Sequence, residues 1–147
     1  KDLRPGTLPV PLIIGFAKAT ELAMKDLYTL QDKLMNYRNK LLSDLIEEIP
    51  NLIINGSLES RLANNINLTI PGVSGTLLHQ SLKPFLICSS GSSCANGGPS
   101  HVLKAIGRST EESKASIRLS LGRHTSLEDV ISVVRLIKRV VGQICSK

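Results

Sequence analysis

The sequence predicts an α+β domain, in which a small mixed or antiparallel sheet of about four strands is covered by helices. Two patterns indicate this class: apolar residues recur at helical spacing toward both ends of the chain, and short segments of alternating apolar and polar residues lie between them. With 147 residues, of which 41% are hydrophobic, the chain is long enough for one domain with its own core.

Two helices are predicted in the first third of the chain. The first begins at Pro9 and Pro11, because proline is tolerated in the first turn of a helix and apolar residues follow at helical spacing. The second carries leucines at helical spacing among charged residues, until Pro50 and Asn51 end it. We expect these two helices to form a helical hairpin.

Short strands and helices are predicted in the middle of the chain. The expected strands are 52–54, 65–70, 85–88 and 116–121. Short helices are expected at 76–82 and 100–106, the second ending at Gly107. The last helix has the clearest signals, because Ser126 can cap it and apolar residues follow one face from Val130 to Ile144.

Composition excludes several classes of function. The formal net charge is +6, but only 3% of residues are aromatic and none is tryptophan, which argues against nucleic-acid binding. No apolar run is long enough to span a membrane. Three cysteines match neither a disulfide framework nor a metal-binding pattern, so we expect no metal and a reducing cytoplasm. The first residues lack a signal-peptide pattern and predict a fragment of a longer protein.

Cys94 is the strongest candidate for chemistry. It lies in a loop, 88–99, that is made almost entirely of serine, glycine and other small residues. Thiols are usually buried, so a cysteine on such a loop is a candidate nucleophile. The alternative is an incidental thiol in a linker. Cys88, on a predicted apolar strand, and Cys145, near a helix end, are interpreted as packing or surface thiols.

Several short motifs occur along the chain. They are Arg4-Pro5-Gly6-Thr7, Asn55-Gly56, Arg61 with Asn64, SSGSSC at 89–94, PSHVL at 99–103 and SIRLSLGR at 116–123. In this order they resemble the carboxyl-terminal portion of the class I cysteine desulfurases of the NifS/IscS type. These belong to the aminotransferase class V family. The resemblance covers nearly all of the chain, and the cysteine loop followed by SIRLSLGR is its most specific part.

The resemblance implies a fold-type I enzyme that depends on pyridoxal 5'-phosphate. Such an enzyme takes sulfur from L-cysteine, releases L-alanine and passes the sulfur to an acceptor or scaffold protein for iron–sulfur cluster or thiocofactor assembly. Cys94 would carry the sulfur as a persulfide. Arg118 would bind the substrate carboxylate, because a guanidinium offers two parallel donors. Thr7 would reach the cofactor phosphate of the other subunit, which implies a homodimer.

The resemblance also implies a division of the chain. Residues 1–26 would begin the carboxyl-terminal portion with a helix that leads from a cofactor-binding large domain, and residues 27–147 would form the small domain with the cysteine loop. The lysine that bonds to the cofactor would lie upstream of Lys1. We therefore expect this chain alone to be inactive.

Two other functions remain open at the level of sequence. The serine- and glycine-rich loop could bind a small anion through its backbone amides. The chain could also be a non-catalytic scaffold that keeps the small-domain fold. Arg118, likewise, could be a surface arginine or a member of a salt bridge, which is the commoner case for a single arginine.

Overall fold

The computed structural model describes residues 6–89 and 100–146. The described residues form six helices and three strands. In chain order they are α1 (Val10–Lys25), α2 (Leu27–Glu48), β1 (Ile53–Ile54), β2 (Asn65–Thr69), α3 (Gly75–Leu82), α4 (His101–Ala105), α5 (Thr110–Lys114), β3 (Ser116–Ser120) and α6 (Leu127–Cys145). None of these helices combines the length and the apolar character that a membrane crossing requires. The α+β class predicted from the sequence is confirmed.

The three strands form an antiparallel sheet in the order β1-β2-β3. Side chains alternate between the two faces of a strand, so the faces differ in character. One face is apolar: Ile66, Leu68, Ile117 and Leu119 are buried there. Together with leucines of α2 and α3 and the apolar stripe of α6, they form the main core. The helices α2, α3 and α6 therefore cover this face.

The other face of the sheet is polar. The register places three residues of β2 directly opposite three residues of β3, as the pairs Asn65–Ser120, Asn67–Arg118 and Thr69–Ser116. Because Ile117 and Leu119 point into the core, Arg118 must point to the polar side. The alternation of β3 thus fixes which face carries the arginine.

Serine caps begin four of the helices. Ser126 caps α6 in a reciprocal capping box with Asp129, as the sequence predicts. Ser74 and Ser100 cap α3 and α4. Helix α5 is not among the predicted elements, although Ser109 and Glu112 form a capping box at its start and have the spacing that such a box requires.

The predicted strand at 85–88 is wrong. The amide N–H groups of Phe85 and Leu86 donate to the carbonyl of Leu82 at the end of α3, so they are not available for a sheet. Of the described residues in this segment, Ser89 alone reaches the sheet, where it forms an antiparallel bridge with Arg118. The described sheet therefore has three strands instead of about four.

The predicted helical hairpin is also wrong. Asp26 alone separates α1 from α2, and its φ of −104° and ψ of 6° lie near helical values. A helical hairpin needs a loop of about two to five residues to reverse the chain. No residue of α1 is buried, so the rest of the described domain does not cover this helix.

Candidate functional site

A pocket of about 310 Å³ lies on the polar side of the sheet. Its lining combines the sheet, the turn after β1 and one face of α4: Asn55, Gly56, Arg61, Asn65, Asn67, Ser100, Val102, Leu103, Ile106, Ser116 and Arg118. Two of these side chains are guanidiniums, several are amides or hydroxyls, and none is acidic. The composition favours an anionic ligand over a cation or a metal. Across the described parts of the chain, no cluster of histidine, cysteine and acidic residues could hold a metal ion.

Arg118 is exposed at this pocket, and its backbone holds the start of the cysteine loop. Ser89 donates its N–H to the Arg118 carbonyl over 3.2 Å, and the Arg118 N–H donates to the Ser89 carbonyl over 2.9 Å. On the other side of the loop, Ser100 is buried and lines the pocket. Of the two described ends of the segment that carries Cys94, Ser100 therefore lines the pocket and Ser89 pairs with the backbone of Arg118, which lines it. Cys94 itself lies outside the described residues.

Asn55 forms the floor of the pocket and is 2% exposed. Its Nδ2 donates to Asn67 Oδ1 over 2.7 Å and to Thr69 Oγ1 over 2.8 Å. Thr69 Oγ1 and Ser116 Oγ lie 2.6 Å apart, and Ser116 Oγ donates to the Glu112 carbonyl over 2.7 Å. Because the Ser116 hydroxyl already donates its hydrogen to the Glu112 carbonyl, it can only accept from Thr69, so the Thr69 hydroxyl is the donor of that hydrogen bond. The hydrogen bonds thus run in one direction, from Asn55 to α5.

Arg61 holds the turn that follows Asn55. Its Nε donates to the Ser57 carbonyl over 2.9 Å, and its Nη2 donates to the Asn55 carbonyl. The turn needs a glycine, because Gly56 has φ +80° and a Cβ there would lie 3.1 Å from Arg61 Nη2. Burial, and then the charge of the nearby Arg38, lower the pKa of Arg61.

His79 and Cys88 form a pair behind β3. His79 Nε2 lies 3.1 Å from the Ser116 carbonyl, which can only accept, so Nε2 carries the proton. Nδ1 is then an acceptor, and Cys88 Sγ lies 3.9 Å from it. Burial lowers the pKa of His79 and raises the pKa of Cys88, so both groups are neutral near pH 7. A protonated thiol is a weak nucleophile, which agrees with a packing role for Cys88.

The sequence-predicted site residues have different positions. Arg118 lies at the pocket, Cys94 lies outside the described residues, and Thr7 is exposed before α1 and does not line the pocket. Asn55 and Arg61 also lie at the pocket, although their motifs predicted no role for them. The signal that could have identified their surroundings is the alternation of β2 and β3, which gives one fully polar face.

Comparison with known proteins places this chain in a family. The family profile described as Aminotransferase class-V matches residues 1–133. The chain belongs to the aminotransferase class V family. Over 146 residues it is 36% identical to the cysteine desulfurase IscS of Methylococcus capsulatus, and the match covers 98% of this chain and 36% of that protein.

Two solved structures of NifS-like proteins have the same fold over nearly all of this chain. A NifS-like protein superposes with a TM-score of 0.81 at 27% identity, covering 96% of this chain and 36% of the other. The NifS-like protein of Rickettsia africae superposes with a TM-score of 0.80 at 26% identity, covering 93% and 36%. The chain thus spans little more than a third of the length of these proteins.

Proposed function

We propose that this class V chain is the substrate-binding and sulfur-carrying part of a cysteine desulfurase. The observation that carries the proposal is the position of Arg118, which lines a pocket without acidic groups and pairs through its backbone with the start of the cysteine loop. The similarity to proteins named cysteine desulfurase IscS supports the same reaction.

Arg118 binds the carboxylate of L-cysteine in this proposal. A guanidinium can donate two parallel hydrogen bonds to a carboxylate, which fixes the orientation of an amino acid as well as its position. No carboxylate in the described parts of the chain forms an ion pair with Arg118. Its charge is therefore available for a ligand.

Cys94 accepts the sulfur. Its thiolate attacks the sulfur of the bound L-cysteine, so a new S–S bond forms and the bond from that sulfur to the substrate carbon breaks. The carbon fragment takes a proton and leaves as L-alanine, and Cys94 keeps a persulfide. The sum is L-cysteine plus a thiol giving L-alanine plus a persulfide. The persulfide then passes to a sulfur-acceptor or scaffold protein for iron–sulfur cluster or thiocofactor assembly.

The residues that line the pocket suit the binding of an amino-acid substrate in a pyridoxal phosphate enzyme, but not the covalent attachment of the cofactor. Two guanidiniums, with amides and hydroxyls, suit the anionic groups of an amino acid, but no lysine lines the pocket to bond with the cofactor. When bound, pyridoxal 5'-phosphate supplies an electron sink for the amino acid. We propose that the lysine that bonds to the cofactor belongs to the part of the relatives' length that this chain does not match. Thr7 is exposed and can offer its hydroxyl to the cofactor phosphate across a homodimer.

The exposed helix α1 supports the proposed division of the chain. Its large apolar side chains are solvent-exposed, among them Leu12, Ile14 and Phe16, the last at 76%. Such a helix is normally covered by protein. We infer that residues 1–26 connect to the cofactor-binding polypeptide and that residues 27–147 form the small domain, in a protein that works in the cytoplasm.

Intact mass measurement tests the proposal. The chain is incubated with L-cysteine, with and without a lysine-bearing cofactor domain of a class V relative, and added sulfur is mapped by peptide. We expect sulfur on Cys94 only with the cofactor domain present. Cys94→Ser should abolish it, and the matched variant Cys145→Ser should retain it. If the two parts associate and bind cofactor but no sulfur appears, the chain is a non-catalytic scaffold instead.

A further inference from the structure

Asn67 is the residue that the sheet places directly beside Arg118. The register of β2 and β3 makes the two residues cross-strand partners. Ile66 and Leu68 are fully buried on the apolar face, so Asn67 between them points to the polar side. Directly opposite residues of an antiparallel pair have Cβ atoms about 5 Å apart. Since both side chains also line the pocket, a ligand that is held by Arg118 lies within reach of Asn67.

A series of hydrogen bonds determines which end of the Asn67 amide faces the pocket. It begins at the Glu112 carbonyl, which can only accept, so the Ser116 hydroxyl donates to it. Ser116 then accepts from the Thr69 hydroxyl, and Thr69 in turn accepts from Asn55. The Asn55 atom at Thr69 is therefore the nitrogen Nδ2, and its second hydrogen goes to Asn67 over 2.7 Å. The Asn67 atom that receives this hydrogen must be the oxygen Oδ1.

The nitrogen of the Asn67 amide is thus the end that is left for a ligand. Its Nδ2 forms no hydrogen bond within the parts of the chain that the structure describes. Asn67 is only partly buried, and its Nδ2 is not closed off from solvent as Asn55 Oδ1 is. An amide oxygen in this position would repel a carboxylate, whereas an amide nitrogen donates to one. The pocket therefore presents a neutral, oriented donor beside the guanidinium of Arg118.

We propose that Asn67 is a specificity-determining residue of this pocket, which donates a hydrogen bond from Nδ2 to the substrate carboxylate that Arg118 holds. The inference rests on the proposed function, because Arg118 binds the carboxylate in both. A carboxylate has about four lone-pair sites, so the two hydrogen bonds from a guanidinium leave room for a further donor. Thr69 is fully buried and does not line the pocket, so it is a positioning residue that orients the Asn67 amide through Asn55.

The side-chain amide signals in ¹⁵N-correlated NMR spectra test the proposal directly. The 147-residue chain is titrated with L-alanine, which carries the carboxylate, and with L-alaninamide, in which an amide replaces the carboxylate. We expect L-alanine to shift the Nδ2 hydrogens of Asn67, while those of the exposed Asn36 stay in place. L-Alaninamide should shift the Asn67 signals much less. If L-alanine shifts the backbone signal of Arg118 but not the Asn67 side-chain amide, the proposal is wrong.

Three variants of unchanged net charge compare the dissociation constants of the two ligands. Asn67→Ala should weaken L-alanine about tenfold, as expected for loss of a hydrogen bond to a charged group, and L-alaninamide much less. Thr69→Val removes the acceptor that orients Asn55, whose oxygen can then turn toward Asn67 and draw Nδ2 out of the pocket. The preference for L-alanine should therefore fall here too, and Asn36→Ala should retain it. Equal weakening of both ligands in Asn67→Ala would indicate a purely structural role and refute the proposal.

Arg118→Gln separates a failure of this proposal from a failure of the proposed function. The change should weaken L-alanine whether or not Asn67 takes part, because the guanidinium holds the carboxylate. Binding that is lost in Arg118→Gln but unaffected by Asn67→Ala refutes the role of Asn67 and leaves the proposed function standing. Binding of L-alanine that is absent from the wild-type chain, or indifferent to Arg118→Gln, refutes the proposed function.

Discussion

Replacing Asn55 with alanine tests the hydrogen-bond network under the pocket. The change removes the Nδ2 donor from Asn67 Oδ1 and Thr69 Oγ1, two bonds of 2.7 and 2.8 Å. Each contributes about 1 kcal/mol, and a buried acceptor left unpaired costs about 1 kcal/mol more. The change also removes Asn55 Oδ1, a buried acceptor without a partner, and this gain of about 1 kcal/mol offsets the cost of the newly unpaired acceptor. The expected loss of unfolding free energy is therefore about 2 kcal/mol.

Urea unfolding followed by circular dichroism measures this loss. The midpoint should fall while the slope with denaturant stays constant, because the fold and the surface exposed on unfolding do not change. Asn36→Ala is the matched control, since Asn36 is exposed on α2, and it should change stability by less than about 0.5 kcal/mol. If the Asn55→Ala chain is as stable as this control, the hydrogen bonds from Asn55 to β2 do not stabilise the fold, and the reasoning is refuted.

Three further changes test other parts of the fold. Gly75→Ala should destabilise the chain by about 1–3 kcal/mol in urea unfolding, since its Cβ would lie 2.0 Å from the Lys114 carbonyl oxygen; an unchanged midpoint would contradict this close approach. Burial lowers the pKa of His79 below its usual 6.5, so the unfolded chain binds the proton more tightly. The unfolding free energy should therefore be constant above about pH 7 and fall toward about pH 5, and His79→Gln should flatten this slope in a pH series of melts. Ser126→Ala should lower the unfolding free energy by about 1 kcal/mol in thermal melts, because α6 loses its cap. The mid-helix control Ser132→Ala should lower it by nothing measurable, and equal effects of the two changes would refute the capping role.

The sequence predicts the elements whose signals are local. The cap at Ser126 and the apolar stripe behind it define α6, and the alternation in 65–70 and 116–121 defines β2 and β3. The strand at 85–88 fails for a tertiary reason, because the end of α3 accepts the backbone donors that a strand would need. The hairpin fails because apolar spacing identifies helices but does not show whether the chain reverses between them.

The candidate site is predictable only in part. Arg118 and Cys94 are found through motifs, but the pocket depends on partners distant in sequence. Asn55 reaches Thr69 and Ser116, which are 14 and 61 residues away along the chain. No local pattern links such residues. The sequence Asn55-Gly56 predicts a turn, which is correct, and gives no sign that the asparagine side chain faces the sheet instead of solvent.

The orientation of Arg118 is determined by residues that do not contact a ligand. Ile117 and Leu119 are 0% and 4% exposed in the core, and a shift of one residue in β3 would move them to the pocket and bury the arginine. The pairing with Ser89 uses only the backbone of Arg118, so the path of the loop at this point does not depend on the side chain. Changing Arg118 to glutamine should therefore remove the guanidinium and leave both the strand register and the entry of the cysteine loop in place. For this reason a loss of ligand binding in that variant reports on the charge itself.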